Sequence, residues 1–401
     1  MKELEGLMKR PANRRSFLKN GVVAASTAAV GTGLLSGGLS AFGRERDDDD
    51  GPVTKGDIAI LRFLNALEQI EADLWLQYSE LGGVQDKEVS GVNDGNPAYT
   101  AALTILDGDM AQYVHDNADD ENSHVAFLKA YLESKGAEAV DLSRFATLPS
   151  SKAQGANQNI GRLTNLTQLT VDTSYWSRYR SITNPDFDPG APFVQAVPSL
   201  NVGQHTAIPR TDADTAGSDP SNPPASISPL LQAIAFTAGF HFAFIEQGGT
   251  SLYPALAQKV TNLEVLRVLL SIGPSETMHF QTWQDKAGNA LPLTSVIDPV
   301  NKSSLTFTNL AAAQGETNPE SLNGDTLQAN LIMPEPTHFL TNNNRTFPPV
   351  AIIRPTSTEF GGALASFNSF ATDGLFIGQT KEFFNKMRDL AEDADAARRQ
   401  L

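Results

Sequence analysis

The chain has 401 residues, 40% of them hydrophobic, with 30 basic and 46 acidic side chains, a formal net charge of −16 and no cysteine. That length is enough to bury a substantial core, and the acidity disfavours nucleic acid and anionic lipid as partners. The lack of cysteine excludes disulfides, zinc–thiolate sites, iron–sulfur clusters and thiol nucleophiles.

The first segment runs against the overall charge: residues 1–43 hold six basic side chains and two acidic ones. NRRSFLK, Asn13 to Lys19, precedes a moderately apolar stretch from Gly21 to Phe42 rich in Ala, Gly and Ser, with small residues at Ser40 and Ala41. Paired arginines, a short apolar region and a small-residue cleavage region resemble a twin-arginine export signal. The expectation is a signal peptide over 1–43 and an exported protein, periplasmic or extracellular. Its partner would be the twin-arginine export machinery, with no stable membrane insertion after cleavage. RERDDDDGP, Arg44 to Pro52, lies in an acidic linker over 44–56, because a block of like charge repels itself and does not pack.

A first helix is expected from Thr54, where Thr54 and Asp57 approximate a capping box, to Gly82 and Gly83. Its inward positions at heptad spacing are Leu61, Leu64, Glu68, Glu71, Trp75 and Tyr78, so two carboxylates fall where a plain core would place leucine. A buried carboxylate is costly unless paired or bound to metal. A second helix starts at Asn96 as cap with Pro97 in its first turn and ends at Gly136, with Gly108 as a possible division. Its stripe is Met110, Val114, Asn117, Glu121, His124, Leu128 and Tyr131, again with a polar pair among apolar residues.

Residues 137–228 carry little helix signal apart from an ambiguous stretch, Asn165 to Ser181, and are rich in Pro, Asp, Gly and Ser. So long a connection needs a reason, and joining the second and third helices of a four-helix bundle by one crossover supplies it. Ser228 and Pro229 then open a third helix through Phe242, Glu246 and Tyr253; Thr261 and Glu264 form the expected capping box of a fourth, through Glu276, His279 and Trp283. Gly273 and Pro274 interrupt that helix and predict a kink. Residues 57–285 thus read as a four-helix bundle with an insertion at 137–228. Residues 286–401 read as an irregular extension that wraps the bundle and ends in an amphipathic helix with Phe383, Phe384, Met387 and Leu390 on one side.

Glu-x-x-His occurs at Glu121/His124, Glu276/His279 and Glu335/His338, against roughly 0.3 chance matches expected. The third lies between prolines and is set aside as coincidence. Three residues is nearly one helical turn, so the other two pairs each project a carboxylate and an imidazole from one face. A Glu from each of two helices plus Glu-x-x-His from each of the other two is the ligand set of di-iron and di-manganese carboxylate bundles. The candidate metal ligands are Glu68, Glu71, Glu121, His124, Glu246, Glu276 and His279, and the cofactors two iron or manganese ions. His115, His205 and His241 read as structural or exposed, Tyr78, Tyr113 and Tyr253 as core aromatics, and Asp119 with Asp120 as a solvated face.

With these residues the chain resembles the ferritin-like superfamily, and most closely exported ferritin-like domain proteins with twin-arginine signals, related to desiccation-associated proteins. The resemblance covers the signal and roughly residues 57–135 and 229–285, not the insertion or tail. It rests on Leu67, Glu68, Glu71 and Trp75 in the first helix, with Trp75 where Tyr is usual, and on Glu246 and Tyr253 in the third. It implies that Glu121 and Glu276 bridge two metals, His124 and His279 cap them, and Glu68 and Glu246 bind terminally, with Glu71 as rival to Glu68. The implied function is oxidase, peroxidase or catalase-like chemistry on dioxygen or hydrogen peroxide. The competing expectation is a non-enzymatic stress- or desiccation-associated bundle with a structural or vestigial site.

Overall fold

The computed structural model describes residues 51–400 apart from 93, 179–194 and 311–361. The export signal, most of the acidic linker and the Glu335/His338 pair lie outside the described residues.

Helix α1 (Lys55–Gly82) begins at the expected capping box, in which the Asp57 amide donates to Thr54 Oγ1 at 3.1 Å and the Thr54 amide to Asp57 Oδ2 at 2.9 Å. Its six inward positions are all buried. Asn96 accepts from the Tyr99 amide and opens α2 (Pro97–Leu103), and α3 (Met110–Ser134) follows, so the expected second helix is two helices divided around Gly108. The α3 stripe is buried as expected except at its last position, where Leu132 points inward and Tyr131 is half-buried.

The crossover from α3 back to the bundle is ordered by polar anchors. Strands β1 (Leu148–Pro149) and β2 (Gly161–Arg162) pair antiparallel. There the buried Arg162 guanidinium meets Glu80 of α1 at 2.5 and 2.7 Å. Asp73, seven residues earlier on the same face of α1, accepts from the Leu163 and Thr164 amides and the Thr164 hydroxyl. A short helix, α4 (Ser174–Arg178), buries Tyr175 and Trp176, and the Tyr175 hydroxyl donates to the Phe240 carbonyl.

Helix α5 (Pro229–Ala257), capped by Ser228, is apolar nearly all round and is the central helix of the core. It is long and apolar enough to cross a membrane, but most of it is buried against its neighbours, as expected of the innermost helix of a bundle. Helix α6 (Leu263–Ala287) is capped by Asn262 rather than Thr261. The reason is Asp57: its carboxylate already takes the Thr261 and Asn262 amides at 2.8 and 3.3 Å, tying the starts of α1 and α6 together. Pro274 does not interrupt α6, which runs through it. Pro274 and Leu270 both face solvent, so the Leu270 carbonyl that proline leaves without an amide partner is open to water.

Helices α1, α3, α5 and α6 make the four-helix layer, with α1 packed on α3 and α5 on α6. The described residues of the C-terminal region include regular elements. Strands β3 (Leu293–Ile297) and β4 (Ser304–Phe307) pair, α7 (Ala363–Asp373) packs on α5, and α8 (Lys381–Ala396) packs on α1. The amides of Ala363 and Leu364 bond to Asp395 of α8, whose Oδ1 also lies 3.1 Å from Lys259 Nζ. Phe383, Met387 and Leu390 are buried as expected, while Phe384 is half-buried.

Candidate metal centre

The inward faces of α1, α3, α5 and α6 place Glu68, Glu121, Glu246 and Glu276 around two imidazoles, those of His124 and His279, whose ring centres are 6.5 Å apart. Both imidazoles turn Nδ1 inward. His124 Nδ1 lies 3.2 Å from Glu68 Oε2, 3.1 Å from Glu121 Oε2 and 3.3 Å from Glu276 Oε1. His279 Nδ1 lies 3.3 Å from Glu121 Oε1, 3.3 Å from Glu246 Oε2 and 3.9 Å from Glu276 Oε2. Glu121 and Glu276 therefore split their oxygens between the two histidines, while Glu68 faces one and Glu246 the other. The result is two four-residue groups, each with its donor atoms within 4.8 Å of one another.

One imidazole N–H cannot donate to three carboxylate oxygens, so these acceptors outnumber their donors. Neither oxygen of Glu276 has a hydrogen-bond partner, nor does Glu246 Oε2. Buried polar atoms left in this state cost about 1–3 kcal/mol each, and a cation shared among the oxygens removes the cost. Carboxylates with imidazole also suit iron and manganese.

The surrounding side chains fix the donors. Asn117 donates to Glu121 Oε1 at 2.9 Å and Glu246 Oε1 at 3.0 Å, and is held by Trp283, whose Nε1 donates to its Oδ1 at 2.7 Å. Trp75 Nε1 donates to Glu246 Oε1 at 2.8 Å, and the Tyr253 hydroxyl donates to Glu68 Oε1. On the outward side, His124 Nε2 meets Ser275 Oγ at 3.2 Å and His279 Nε2 meets Asp120 Oδ2 at 3.1 Å, which orients both rings. Of these partners, Asn117 sat on the inward stripe four residues before Glu121 and was legible as a neighbour of the site. Asp120 read only as solvated surface.

Burial pushes the Glu68 carboxyl up to about 7 against the pull of His124. Glu276 and Glu71 are held well above the usual carboxylate range, by burial first and then by the neighbouring carboxylates. Glu121 goes the other way: burial raises it, but hydrogen bonds and charge from His124 and His279 outweigh burial and hold it well below that range. His124 is disfavoured as a cation by burial, yet Glu68 and Glu121 push it up to about 11, and His279 is likewise raised, chiefly by Glu246.

Glu71 is buried beside the cluster, with Oε1 unpartnered, but contributes no oxygen to either group. His115, His205 and His241 are buried and take no part in them. A third group, Asp86, Glu88 and His115, runs from exposed Asp86 through half-buried Glu88 to buried His115, and the ring nitrogens of His115 already meet Asp86 at 3.0 Å and Asp116 at 3.4 Å.

Residues 56–189 match a family model described as a ferritin-like domain. The fold is a ferritin-like bundle. The match takes in α1, α2 and α3 and runs on into the crossover, which the sequence resemblance had left uncovered; helices α5 and α6, beyond the match, bring Glu246, Glu276 and His279 to the same centre. No curated protein and no solved structure matched the chain.

Proposed function

We propose that this chain is an exported ferritin-like protein that binds two iron or manganese ions and reacts with dioxygen or hydrogen peroxide as an oxidase or peroxidase. The observation that carries the reading is the pair of converging donor groups with orphaned buried oxygens on Glu246 and Glu276. Glu68 and His124 would hold one ion, Glu246 and His279 the other, and Glu121 and Glu276 would bridge them. This fits Glu68 rather than Glu71 as the α1 ligand. Two such ions supply redox electrons that no side chain of a cysteine-free chain offers as readily. The protein's part is to hold the carboxylates by Asn117, Trp75 and Tyr253, to fix the imidazole tautomers by Asp120 and Ser275, and to keep bulk water out with Phe242, Trp75 and Trp283.

The deciding experiment is metal analysis of protein purified from its native export route and again after anaerobic reconstitution. About two equivalents of iron or manganese per chain are expected, followed by peroxide or dioxygen consumption that the metal-free protein lacks. Failure to take up metal on reconstitution overturns the reading. Export rests on Arg14 and Arg15 and the apolar segment after them; replacing both arginines with lysine is expected to retain the precursor inside the cell.

A further inference from the structure

Three buried side chains lie outside the proposed centre and are unexplained by it. Tyr78 of α1, His241 of α5 and Asp373 at the end of α7 are at most 2% exposed. The Tyr78 hydroxyl is 2.8 Å from His241 Nδ1, and His241 Nε2 is 3.1 Å from Asp373 Oδ2. The hydroxyl donates to Nδ1 when the ring proton sits on Nε2, which then faces the Asp373 carboxylate, although the N–H is not aligned for a full hydrogen bond. Neither oxygen of Asp373 has another partner. A tyrosine with a base on its oxygen and an acid behind that base is costly to bury for packing alone.

The arrangement is joined to the carboxylate cluster by one ring. Trp75 donates to Glu246 Oε1 at 2.8 Å, and its ring centre is 5.8 Å from that of Tyr78 and 5.1 Å from Trp283, on which it stacks. Phe242 packs against both, 4.8 Å from Trp75 and 4.6 Å from Tyr78. The path Glu246–Trp75–Tyr78–His241–Asp373 is thus continuous from the centre to the far side of α5.

We propose that Tyr78 is a one-electron donor to the centre, with His241 as the acceptor of its phenolic proton and Asp373 as the positioning residue that stabilises the resulting imidazolium. The proposal rests on the two-metal reading for its oxidant, the metal pair after reaction with hydrogen peroxide or dioxygen. Tyr78 loses one electron by way of Trp75 and becomes a neutral phenoxyl radical. Its O–H proton moves to His241 Nδ1, and the oxidant gains the electron. Burial holds the Tyr78 hydroxyl well above its ordinary pKa, so it does not ionise first, and the proton leaves only as the electron does.

The test is freeze-quench paramagnetic resonance on the full chain, with metal content measured on the same sample. Peroxide added to metal-bound protein is expected to give a tyrosyl signal that persists in Tyr113→Phe and is lost in Tyr78→Phe, which keeps the ring and removes only the hydroxyl. His241→Gln retains a hydrogen-bond acceptor but no base, and is expected to slow radical formation roughly 100-fold; Asp373→Asn lowers it in the same direction. Metal binding with no tyrosyl signal, a signal that survives Tyr78→Phe, or a rate unchanged by His241→Gln overturns the proposal and leaves the two-metal reading standing. If no metal binds, that reading fails. Flash oxidation of the metal-free chain by a photoexcited ruthenium complex then decides the triad alone: transient tyrosyl absorption dependent on Tyr78 and His241 keeps it, and its absence ends it.

Discussion

Glu276→Gln is expected to move the metal-free and metal-bound forms of this protein in opposite directions. Glu276 is fully buried, neither of its oxygens is hydrogen-bonded, and it shares the interior with Glu68, Glu121 and Glu246. Two like charges at the 4.8 Å that bounds these donor groups repel by about 3 kcal/mol at an effective dielectric near 20. Glu276 avoids this by holding its proton, so its cost is that of a buried carboxyl without partners, about 1–3 kcal/mol. Glutamine has the same shape, carries no charge and offers two donors to carboxylate oxygens, among them the orphaned Glu246 Oε2. The metal-free variant should therefore gain about 2 kcal/mol, or roughly 4 °C in melting temperature for a chain of this size. With metal the order reverses, because one donor group exchanges an oxygen for an amide NH2 and the other keeps only an uncharged amide oxygen, and affinity falls by more than about 100-fold. Ligand at about 1,000 times Kd adds about 4 kcal/mol to the unmodified protein and little to the variant. Thermal unfolding by circular dichroism, with and without manganese(II), reads both terms. A variant that is less stable than the unmodified protein without metal, and equally stabilised by it, would refute the reasoning and leave the cluster a hydrogen-bonded network.

Metal uptake should release about three protons, one from each histidine and one from Glu276, since imidazole and carboxylate both coordinate in their deprotonated forms and His124 is pushed up to about 11 with His279 and Glu276 raised as well. Calorimetry in buffers of different ionisation enthalpy measures the release, and zero release contradicts the assignment. The same raised values make these histidines stabilise the metal-free fold fully below the unfolded imidazole pKa of about 6.5. That contribution is lost as pH rises through about 11, so alkaline unfolding should set in earlier for metal-free than for metal-bound protein. Gly249→Ala would put a methyl 2.9 Å from Glu276 Oε2 and 3.1 Å from its Cγ. The change gains about 1 kcal/mol of helix propensity but displaces the carboxylate, so the fold should persist while metal affinity drops at least about 10-fold. Arg162→Met leaves Glu80 buried and unpaired and should cost about 3–5 kcal/mol in chemical denaturation, with much of the loss recovered when Glu80 is also made apolar.

The cluster was legible because burial of a carboxylate is expensive. Glu68, Glu121, Glu246 and Glu276 each sit in an apolar stripe, and helical periodicity alone says that such stripes point to one interior. The ends of α1 and α5 were legible for a similar local reason, since Thr54 with Asp57 and Ser228 with Pro229 satisfy the amides of their own first turns. The misreadings came where a distant group competes for a local one. Asp57 takes the amides of Thr261 and Asn262 and moves the α6 cap by one residue. The outer face of α6 leaves the carbonyl that Pro274 frees open to solvent, so the helix runs on through the proline rather than being interrupted there. Arg162 lies in a stretch of Asn, Gly and Thr with no period, and nothing near it in the chain indicates that Glu80 is its partner.

The cover around the bundle is uneven, and this decides how the centre meets solvent. The crossover is pinned to α1 through Asp73, Gln77 and Glu80, and α7 and α8 lie on α5 and α1. Nothing comparable is laid over the seam between α3 and α6 among the described residues, where Met278 is 70% exposed and Phe127 49%. Of the seven residues singled out from sequence, only His124 and His279 retain appreciable side-chain exposure, 11% each, and both lie on that seam with Asp120 and Ser275 at their outer nitrogens. The imidazole rings are therefore the members of the set nearest solvent, and Asp120, with 32% of its side chain exposed, stands outside His279. Asp120 and Ser275 thus orient the rings on the more open side, while the crossover and the C-terminal helices cover the opposite side, where Trp75, Tyr78 and His241 are buried.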